Sequence, residues 1–377
     1  MDLSYSESQQ MLKSSAREFL AQECPPSLVR AMEEDERGYT AELWQKMVDL
    51  GWPGLAFPEQ YGGLGGDFRD LCVLLEEMGR FLVPGPFFAA VVLGGTTLLD
   101  AGSDEQKQRV LPSLTHGELL LTLAYTEPSA TYQPGGIHLK AEASDDQYIL
   151  NGTKLFVPDA HVADELLVVA RTAEGTNPRE GITLFLVTAR DPRIQLAPLR
   201  TLAGDKQFEV TFNDVKVPRE SVLGAVGQGW PIIQRALQRA ATATCAEMLG
   251  GAEAVLEMTV EYVKQRVQFG RPVGSFQAVQ HHCANMATDV EGSRFITYQA
   301  AWKLSVGEPA ALEVSMAKAW VSEAYYRVCA LAHQCHGAVG FTQEHDLQLY
   351  TRRAKAKELA YGDAQFHREL VAQALEV

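Results

Sequence analysis

The stretch of residues 119–224 constrains the fold most, because it favours short strands and lies between two long helical regions. Residues 207–218 alternate phenylalanine and valine with polar neighbours, which is the period of a half-buried strand. Asn151-Gly152 is a dipeptide typical of hairpin turns. Further strand candidates are residues 138–143, 147–150, 166–170 and 182–187. Strands of this length and spacing predict an antiparallel barrel or sandwich.

The flanking regions carry the spacing of amphipathic helices. Ser6 and Gln9 have the spacing of a capping box before an apolar face. Further helices are predicted at residues 42–50, 70–82 and 103–111, and after the strand region at 276–304 and 311–330. We therefore expect a helical domain at residues 1–118, a β domain at 119–228 and a four-helix bundle at 229–377.

The glycine-rich segment at residues 57–66 is compatible with either a plain connection or a phosphate cradle. No Lys-Ser or Lys-Thr pair follows it, which excludes a P-loop.

The charge and the cysteines exclude several classes of protein. A formal net charge of −15 over 377 residues argues against nucleic acid and acidic membranes as partners. An anionic ligand would need a local basic site. The six cysteines show no Cys-x-x-Cys pair, so we expect neither a metal site nor a disulfide framework. Without an apolar span or a leader-like start, the sequence predicts a cytoplasmic protein.

Three stretches are candidates for chemistry, and each has a structural alternative. Tyr125-Thr-Glu-Pro128 could present a hydroxyl and an amide to a ring carbonyl, or could simply end a strand. Arg266 could bind a pyrophosphate or cap a helix C-terminus. The segment 334–341 could let a ligand approach its glycines, although His336 within it is a packed histidine more often than a catalyst.

Taken together and in order, these motifs resemble the acyl-CoA dehydrogenase family of flavoproteins over nearly the whole chain. The motifs are Thr126-Glu127-Pro128, Asn151-Gly152-x-Lys154, Phe212-x-Asp-Val-x-Val-Pro218, Leu223-Gly224, Arg266-x-x-Phe-Gly270, Phe276-Gln277, Gln334-x-His-Gly337, Gly340-Phe341 and Tyr350-x-Arg352. The resemblance implies a helical N-terminal domain, a middle β-barrel domain and a C-terminal four-helix bundle. It also implies FAD as cofactor, an acyl-CoA substrate, electron-transfer flavoprotein as electron acceptor, and an oligomer built as a dimer of dimers.

The resemblance also assigns residues to the cofactor. Tyr125 and Thr126 would lie along the flavin ring, with Phe156, Val157 and Pro158 on its other side. The pyrophosphate and adenosine of a flavin bound mainly by the neighbouring subunit would contact Arg266, Phe269, Gln277, Gln334, Gly337 and Ala338. An arginine and glycine-exposed amides suit two phosphates on an acidic protein.

The sequence departs from the family at the catalytic base. Most members remove the α-proton of the acyl group with a glutamate near the C-terminus, and here Tyr361 stands in that position. A minority place the glutamate on the first bundle helix, where this chain has Ala240. Tyrosine is a poor substitute, because its unperturbed pKa of about 10 leaves it neutral at pH 7.

Four more departures surround the same expected site. Tyr132 replaces a small hydroxyl residue, and Pro158 replaces a threonine that approaches the flavin. Ala241 stands where an arginine often helps to hold CoA. Asp363 replaces a threonine near the pyrophosphate, where its charge would repel.

These observations leave three hypotheses. The first is a base-lacking subunit of an α2β2 acyl-CoA dehydrogenase, whose homologous partner carries the glutamate. The second is a self-sufficient flavoenzyme of the same fold with another base or substrate, including a flavin monooxygenase. The third is a scaffold protein that has lost the flavin.

Overall fold

The computed structural model describes residues 4–377, which form two compact units. The first comprises residues 4–31, 68–83 and 241–377, and the second comprises residues 32–67 and 84–240. The α-helices are α1 Glu7–Glu23, α2 Pro26–Glu34, α3 Ala41–Asp49, α4 Phe68–Arg80, α5 Thr96–Ala101, α6 Asp104–Thr115, α7 Trp230–Gln265, α8 Gln277–Ser305, α9 Ala311–His336, α10 Leu347–Leu359 and α11 Ala364–Ala374. Among residues 4–377, no helix is both long and apolar enough to cross a membrane.

The second unit is built on one sheet. Its strands are β1 Leu121–Ala124, β2 Lys140–Ser144, β3 Gln147–Pro158, β4 Glu165–Arg171, β5 Ile182–Thr188, β6 Ile194–Leu199, β7 Gln207–Pro218 and β8 Val222–Leu223. They run in the order β6-β7-β3-β2-β4-β5-β8, and β1 pairs with β4 in parallel. The predicted barrel is therefore wrong in detail, because no pairing between β6 and β8 closes the sheet among the described residues. The alternation of apolar and polar residues along a strand predicts which face of the sheet is buried. It does not predict whether the two edge strands of the sheet pair with each other.

The Asn151-Gly152 dipeptide does not form the predicted hairpin turn. The β2–β3 hairpin turns at Asp145-Asp146, where Ser144 pairs with Gln147. Asn151-Gly152 instead lies inside β3 at a register shift against β7, and Gly152 has a φ of +142°. The Asn151 side chain accepts from the Asp214 amide at 2.8 Å and donates to the Asp214 carboxylate at 2.9 Å. The dipeptide is therefore a β-bulge, which also suits glycine.

Two helices of the first unit cross with their backbones in contact. A Cβ on Gly79 of α4 would lie 2.1 Å from the Glu247 carbonyl oxygen of α7. A Cβ on Gly250 of α7 would lie 1.7 Å from the Glu76 carbonyl oxygen of α4. Glycine at both positions therefore permits the crossing. The predicted capping box at Ser6 and Gln9 begins α1 as expected.

Some elements escaped prediction, and for one of them the reason is a sequence without a period. Residues 88–95 form a π-helix that is almost wholly buried, so no polar face marks it as helical. Helix α2 and strand β6 were also missed. The glycine-rich segment at 57–66 contains a single 3₁₀ turn, Glu59–Tyr61. Its glycine amides donate to the carbonyls of residues 55, 57, 58 and 59, so they are not available to a phosphate.

Candidate functional site

The segment after β1 is tied to β3 residue by residue. Lys154 Nζ donates to the Tyr125 carbonyl at 3.0 Å, and the Leu155 amide donates to the Thr126 carbonyl at 2.8 Å. Lys154 Nζ also binds the Glu127 carboxylate at 2.6 Å. Tyr125 is buried and Thr126 is half-buried. The structure thus brings the two ring-facing segments predicted from sequence into direct contact within the second unit.

The end of β3 carries the other three predicted ring contacts. A register shift between Lys154 and Val157 interrupts the pairing of β3 with β7. Phe156 lies in this bulge with a φ of 54° and 50% of its surface exposed, whereas Val157 is buried. The Pro158 carbonyl accepts from Thr122 Oγ1 at 2.7 Å. The bulge therefore turns the Phe156 side chain outward, as bulges beside functional sites commonly do.

Tyr132 lies directly against this surface. Its ring stacks on Tyr125, with centroids 6.0 Å apart and planes inclined by 6°. The Tyr125 hydroxyl is buried with no hydrogen-bond partner among the described residues, and burial raises its pKa. An aromatic side chain therefore occupies the space beside Tyr125 where the family has a small hydroxyl residue.

One end of the helical bundle carries the second group of predicted cofactor residues. Arg266 directly follows α7, and the short hairpin β9 Val267–Gln268 and β10 Arg271–Pro272 comes next. Phe269 at the tip of this hairpin is 92% exposed, and its ring packs edge-on against Phe276 at 6.1 Å. Arg266 and Gln277 are both exposed. Gln277 begins α8, so the hairpin connects all three predicted residues.

The end of α9 completes this group. Gln334, Gly337 and Ala338 are exposed, whereas His336 between them is buried. The His336 ring stacks on Tyr262 of α7 at 4.4 Å, and the Tyr262 hydroxyl donates to the His336 carbonyl at 3.3 Å. This contact places the ends of α7 and α9 together. It also makes His336 a packed residue, which is the structural alternative to a catalytic histidine that the sequence analysis gave.

These bundle-end residues fit a dinucleotide. A Cβ on Gly337 would meet nothing within 4 Å, so the backbone there is open to a ligand. Arg266 offers a charged fork, and the side-chain amides of Gln277 and Gln334 offer donors for phosphate oxygens. Phe269 offers an exposed aromatic face suited to adenine.

The two positions at which the sequence resemblance predicts the base carry no carboxylate. Ala240 is fully buried in α7. Tyr361 lies on a turn with a φ of 58°, and its carbonyl accepts from His367 Nε2 at 3.0 Å. The Asp363 side chain accepts from the Phe366 amide at 2.8 Å and begins α11. Because a helix N-terminus favours negative charge, this N-cap gives Asp363 a structural role that the sequence did not predict.

The burial of two lysine side chains was not predicted from the sequence. Lys318 of α9 is fully buried and donates to Ser322 Oγ and to the carbonyls of Glu358 and Gly362, which bracket Tyr361. Burial lowers its pKa to about 8. Burial likewise lowers the pKa of Lys154 to about 8, against the opposing effect of Glu127. Lys154 lay inside a recognised motif, whereas nothing distinguished Lys318 from an exposed helix lysine.

Glu76, Glu77 and Glu253 have oxygens within 4.8 Å of one another, a spacing that could suit a metal ion. Cations already occupy this space: Arg294 binds Glu76 at 2.6 Å and Glu253 at 2.9 Å. Lys13 and Arg17 bind the same carboxylates from α1. The cluster is therefore an ion-pair network that joins four helices of the first unit.

Sequence comparison covers all three regions of the chain. Family models described as acyl-CoA dehydrogenase N-terminal, middle and C-terminal domains match residues 6–118, 122–215 and 227–376. The chain is also 29% identical to the caffeyl-CoA reductase-Etf complex subunit CarC of Acetobacterium woodii, over 98% of each chain.

Structural comparison gives the same result. Butyryl-CoA dehydrogenase from Megasphaera elsdenii superimposes with a TM-score of 0.93 and 31% identity, covering 100% of both chains. A chain of the ChsE4-ChsE5 complex from Mycobacterium tuberculosis gives a TM-score of 0.91 and 31% identity, over 100% of this chain and 99% of that one.

Proposed function

The chain belongs to the acyl-CoA dehydrogenase family of FAD-dependent oxidoreductases, and on this basis we propose that it is the base-lacking subunit of a heteromeric acyl-CoA dehydrogenase. A single inference from the sequence carries the proposal: by the family resemblance, Ala240 and Tyr361 stand at the two positions of the catalytic glutamate. The reaction needs a group that accepts the α-proton at neutral pH, and neither side chain does so.

The retained residues favour a subunit that still takes part in catalysis. Arg266, Gln277 and Gln334 remain exposed at the bundle end, and Phe269 is exposed beside them. A chain that had become a simple scaffold would have no need for this set of donors. Two of the changes, Tyr132 and Pro158, lie instead beside the expected flavin ring.

In the proposed enzyme this chain holds the pyrophosphate and adenosine of a flavin whose ring faces the partner's base. Bound FAD supplies the acceptor for the hydride that leaves the β-carbon of the acyl group. The Arg266 guanidinium would neutralise the phosphates, and the open backbone at Gly337 would let them approach. The partner chain would contribute the carboxylate that takes the α-proton, so the two subunits together form the enoyl-CoA product.

Two comparisons support this arrangement. The ChsE4-ChsE5 structure is a complex of two differently named chains, and this chain superimposes on one of them along its full length. The name of the Acetobacterium woodii relative includes an Etf complex, which supports an electron-transfer flavoprotein as the electron acceptor. None of the six cysteines is in a disulfide among residues 4–377, which fits a reducing compartment and supports a cytoplasmic location.

The test is to purify the chain alone and together with a homologous chain encoded beside it that carries the glutamate. The proposal expects acyl-CoA oxidation, with electron-transfer flavoprotein as acceptor, only from the mixed complex. In that complex Arg266→Met should lower the flavin content. Lys264→Met should not, because this nearby exposed lysine pairs with Glu261 at 2.8 Å. Full activity of the chain alone, abolished by Tyr361→Phe, would instead support the self-sufficient enzyme. A colourless complex would support the scaffold.

A further inference from the structure

We propose that the buried Glu127–Lys154 ion pair is a positioning pair that holds the flavin-facing surface of the second unit in its binding geometry. The inference adds to the proposed function that a flavin ring lies against residues 125–126 and 156–158 of this chain, as the family resemblance implies. It is independent of which chain supplies the base.

The pair brackets Thr126 from both sides. Lys154 Nζ lies 3.0 Å from the Tyr125 carbonyl oxygen and 2.6 Å from Glu127 Oε1. The Thr126 carbonyl between them accepts from the Leu155 amide at 2.8 Å. Three successive residues are therefore bonded to two successive residues of β3, and Thr126 has no freedom to move away from this strand.

Glu127 extends the same restraint to the loop beyond it. Its carboxylate accepts from the amides of His138 at 2.8 Å and Leu139 at 3.0 Å, which directly precede β2. The loop that carries Tyr132 runs between Glu127 and His138. The carboxylate therefore fixes both ends of that loop, and with them the aromatic stack on Tyr125.

Lys154 also stands at the start of the β3 bulge. The register of β3 against β7 shifts between Lys154 and Val157, and Phe156 takes its outward orientation within that interval. Because Lys154 is held in place, the residue at which the bulge begins is held in place as well. One side chain thus connects the two segments that would face the ring.

The energetics argue that the pair has a purpose other than stability. Glu127 and Lys154 are 4% and 0% exposed, so both charges are removed from water. A buried ion pair generally contributes no more to stability than an apolar pair of the same volume, because desolvation offsets the attraction. What the pair supplies that an apolar contact does not is a set of directed bonds at defined distances.

The test removes the charges of Glu127 and Lys154 but keeps side chains of similar volume at both positions. In Glu127→Gln/Lys154→Met, the glutamine oxygen still accepts an amide of the 138–139 segment, and methionine fills the volume of the lysine stem. Glu165→Gln is the matched control, because Glu165 is 7% exposed and binds Arg109 at 3.0 Å elsewhere in the same unit. Flavin is removed and rebound to the complex of this chain with its partner. The dissociation constant of FAD, the visible spectrum and the unfolding temperature of the flavin-free protein are then measured.

We expect the double variant to raise the FAD dissociation constant by about tenfold or more, which is about 1.4 kcal/mol. We also expect it to change the shape of the flavin absorption band, since the groups beside the ring are displaced. The flavin-free unfolding temperature should match that of the Glu165→Gln control. Glu127→Asp alone, which keeps both charges but is one methylene too short to make all of these bonds, should give an intermediate FAD affinity.

Three results would overturn the inference: an FAD affinity within twofold of the unaltered chain, an unchanged spectrum, or an equal loss in the Glu165→Gln control. If the double variant does not fold, Glu127→Asp decides. A loss of folding in both variants would make the pair a general stabiliser and would also overturn the inference. None of these results bears on the missing base, because rebinding of FAD involves no proton abstraction.

Discussion

Replacing Glu76 by glutamine tests the ion-pair network of the first unit. The Glu76 side chain is 0% exposed and is bound by Arg294 at 2.6 Å, by the Tyr298 hydroxyl at 2.6 Å and by the Tyr5 hydroxyl at 2.9 Å. Lys13 of α1 binds it as well. Glutamine keeps the volume and one acceptor, but it removes the charge and turns an NH2 group toward these donors.

The expected loss follows from burial. Removing one partner from a buried ion pair leaves an uncompensated charge and typically costs about 3–5 kcal/mol of unfolding free energy. Lys13 would be left with Glu77 at 3.6 Å, and Arg294 would keep Glu253 at 2.9 Å. This partial compensation favours the lower end of that range.

The pH dependence has a definite sign. Burial alone would raise the pKa of Glu76, but Lys13 and Arg294 outweigh it and hold the pKa below its ordinary value. The stabilisation is therefore fully present above the unfolded pKa of about 4.3 and is lost as the pH falls below it. The Glu76→Gln variant should lack this part of the acid dependence.

Urea unfolding followed by circular dichroism measures the effect at pH 7. The control is Glu261→Gln, which breaks a Glu–Lys pair of 2.8 Å that is about 60% exposed on both sides, at 61% and 63%. An exposed pair contributes about 0–1 kcal/mol, so the control should change little. If Glu76→Gln lowers the unfolding free energy by less than about 1 kcal/mol, or by no more than the control does, the account of the network is refuted.

Three further substitutions, the first with a control variant, test other parts of the structure. Gly250→Ala should lower the unfolding free energy by about 2 kcal/mol or more, because its Cβ would lie 1.7 Å from the Glu76 carbonyl oxygen. Gly135→Ala, whose nearest neighbour would be 4.0 Å away, should have little effect in the same urea experiment. Lys318 is neutral above pH about 8 when folded but stays charged to about 10.4 when unfolded, so stability should rise with pH between these values. Lys318→Met should reduce that slope by about 1.4 kcal/mol per pH unit, measured as urea midpoints at pH 8 to 10. Tyr361→Glu restores a carboxylate at the family's base position, and the flavin-loaded variant should gain bleaching by butyryl-CoA under anaerobic conditions; no gain with normal flavin content would count against the placement of this position.

Periodicity was sufficient for much of the fold. The alternation at residues 207–218 predicted β7 with its observed limits, because one face of that strand packs into the core and the other does not. The apolar stripes at 276–304 and 311–330 predicted α8 and most of α9 for the same reason. The π-helix at 88–95 has no polar face, and a uniformly apolar run carries no period from which to choose a structure.

Some features of the candidate site were likewise predicted from the sequence, and others were not. Motif order identified residues 125–126 and 156–158, and the structure brings these two segments together through Lys154 and Leu155. The roles of Lys318 and Asp363 depend on which carbonyls and amides the folded chain places around them. Such partners lie far away in sequence or in a different turn, so residue type and spacing alone do not predict them.

The central claim is that this chain cannot remove the α-proton of an acyl-CoA by itself. Exchange of that proton with solvent measures the step directly, because it needs the base but no net oxidation. Butyryl-CoA incubated in D2O with the flavin-loaded chain alone should take up no deuterium at Cα above the protein-free background. The complex with a glutamate-bearing partner should take it up readily. Exchange by the chain alone at the rate of the complex, and its loss in Tyr361→Phe, would contradict the account.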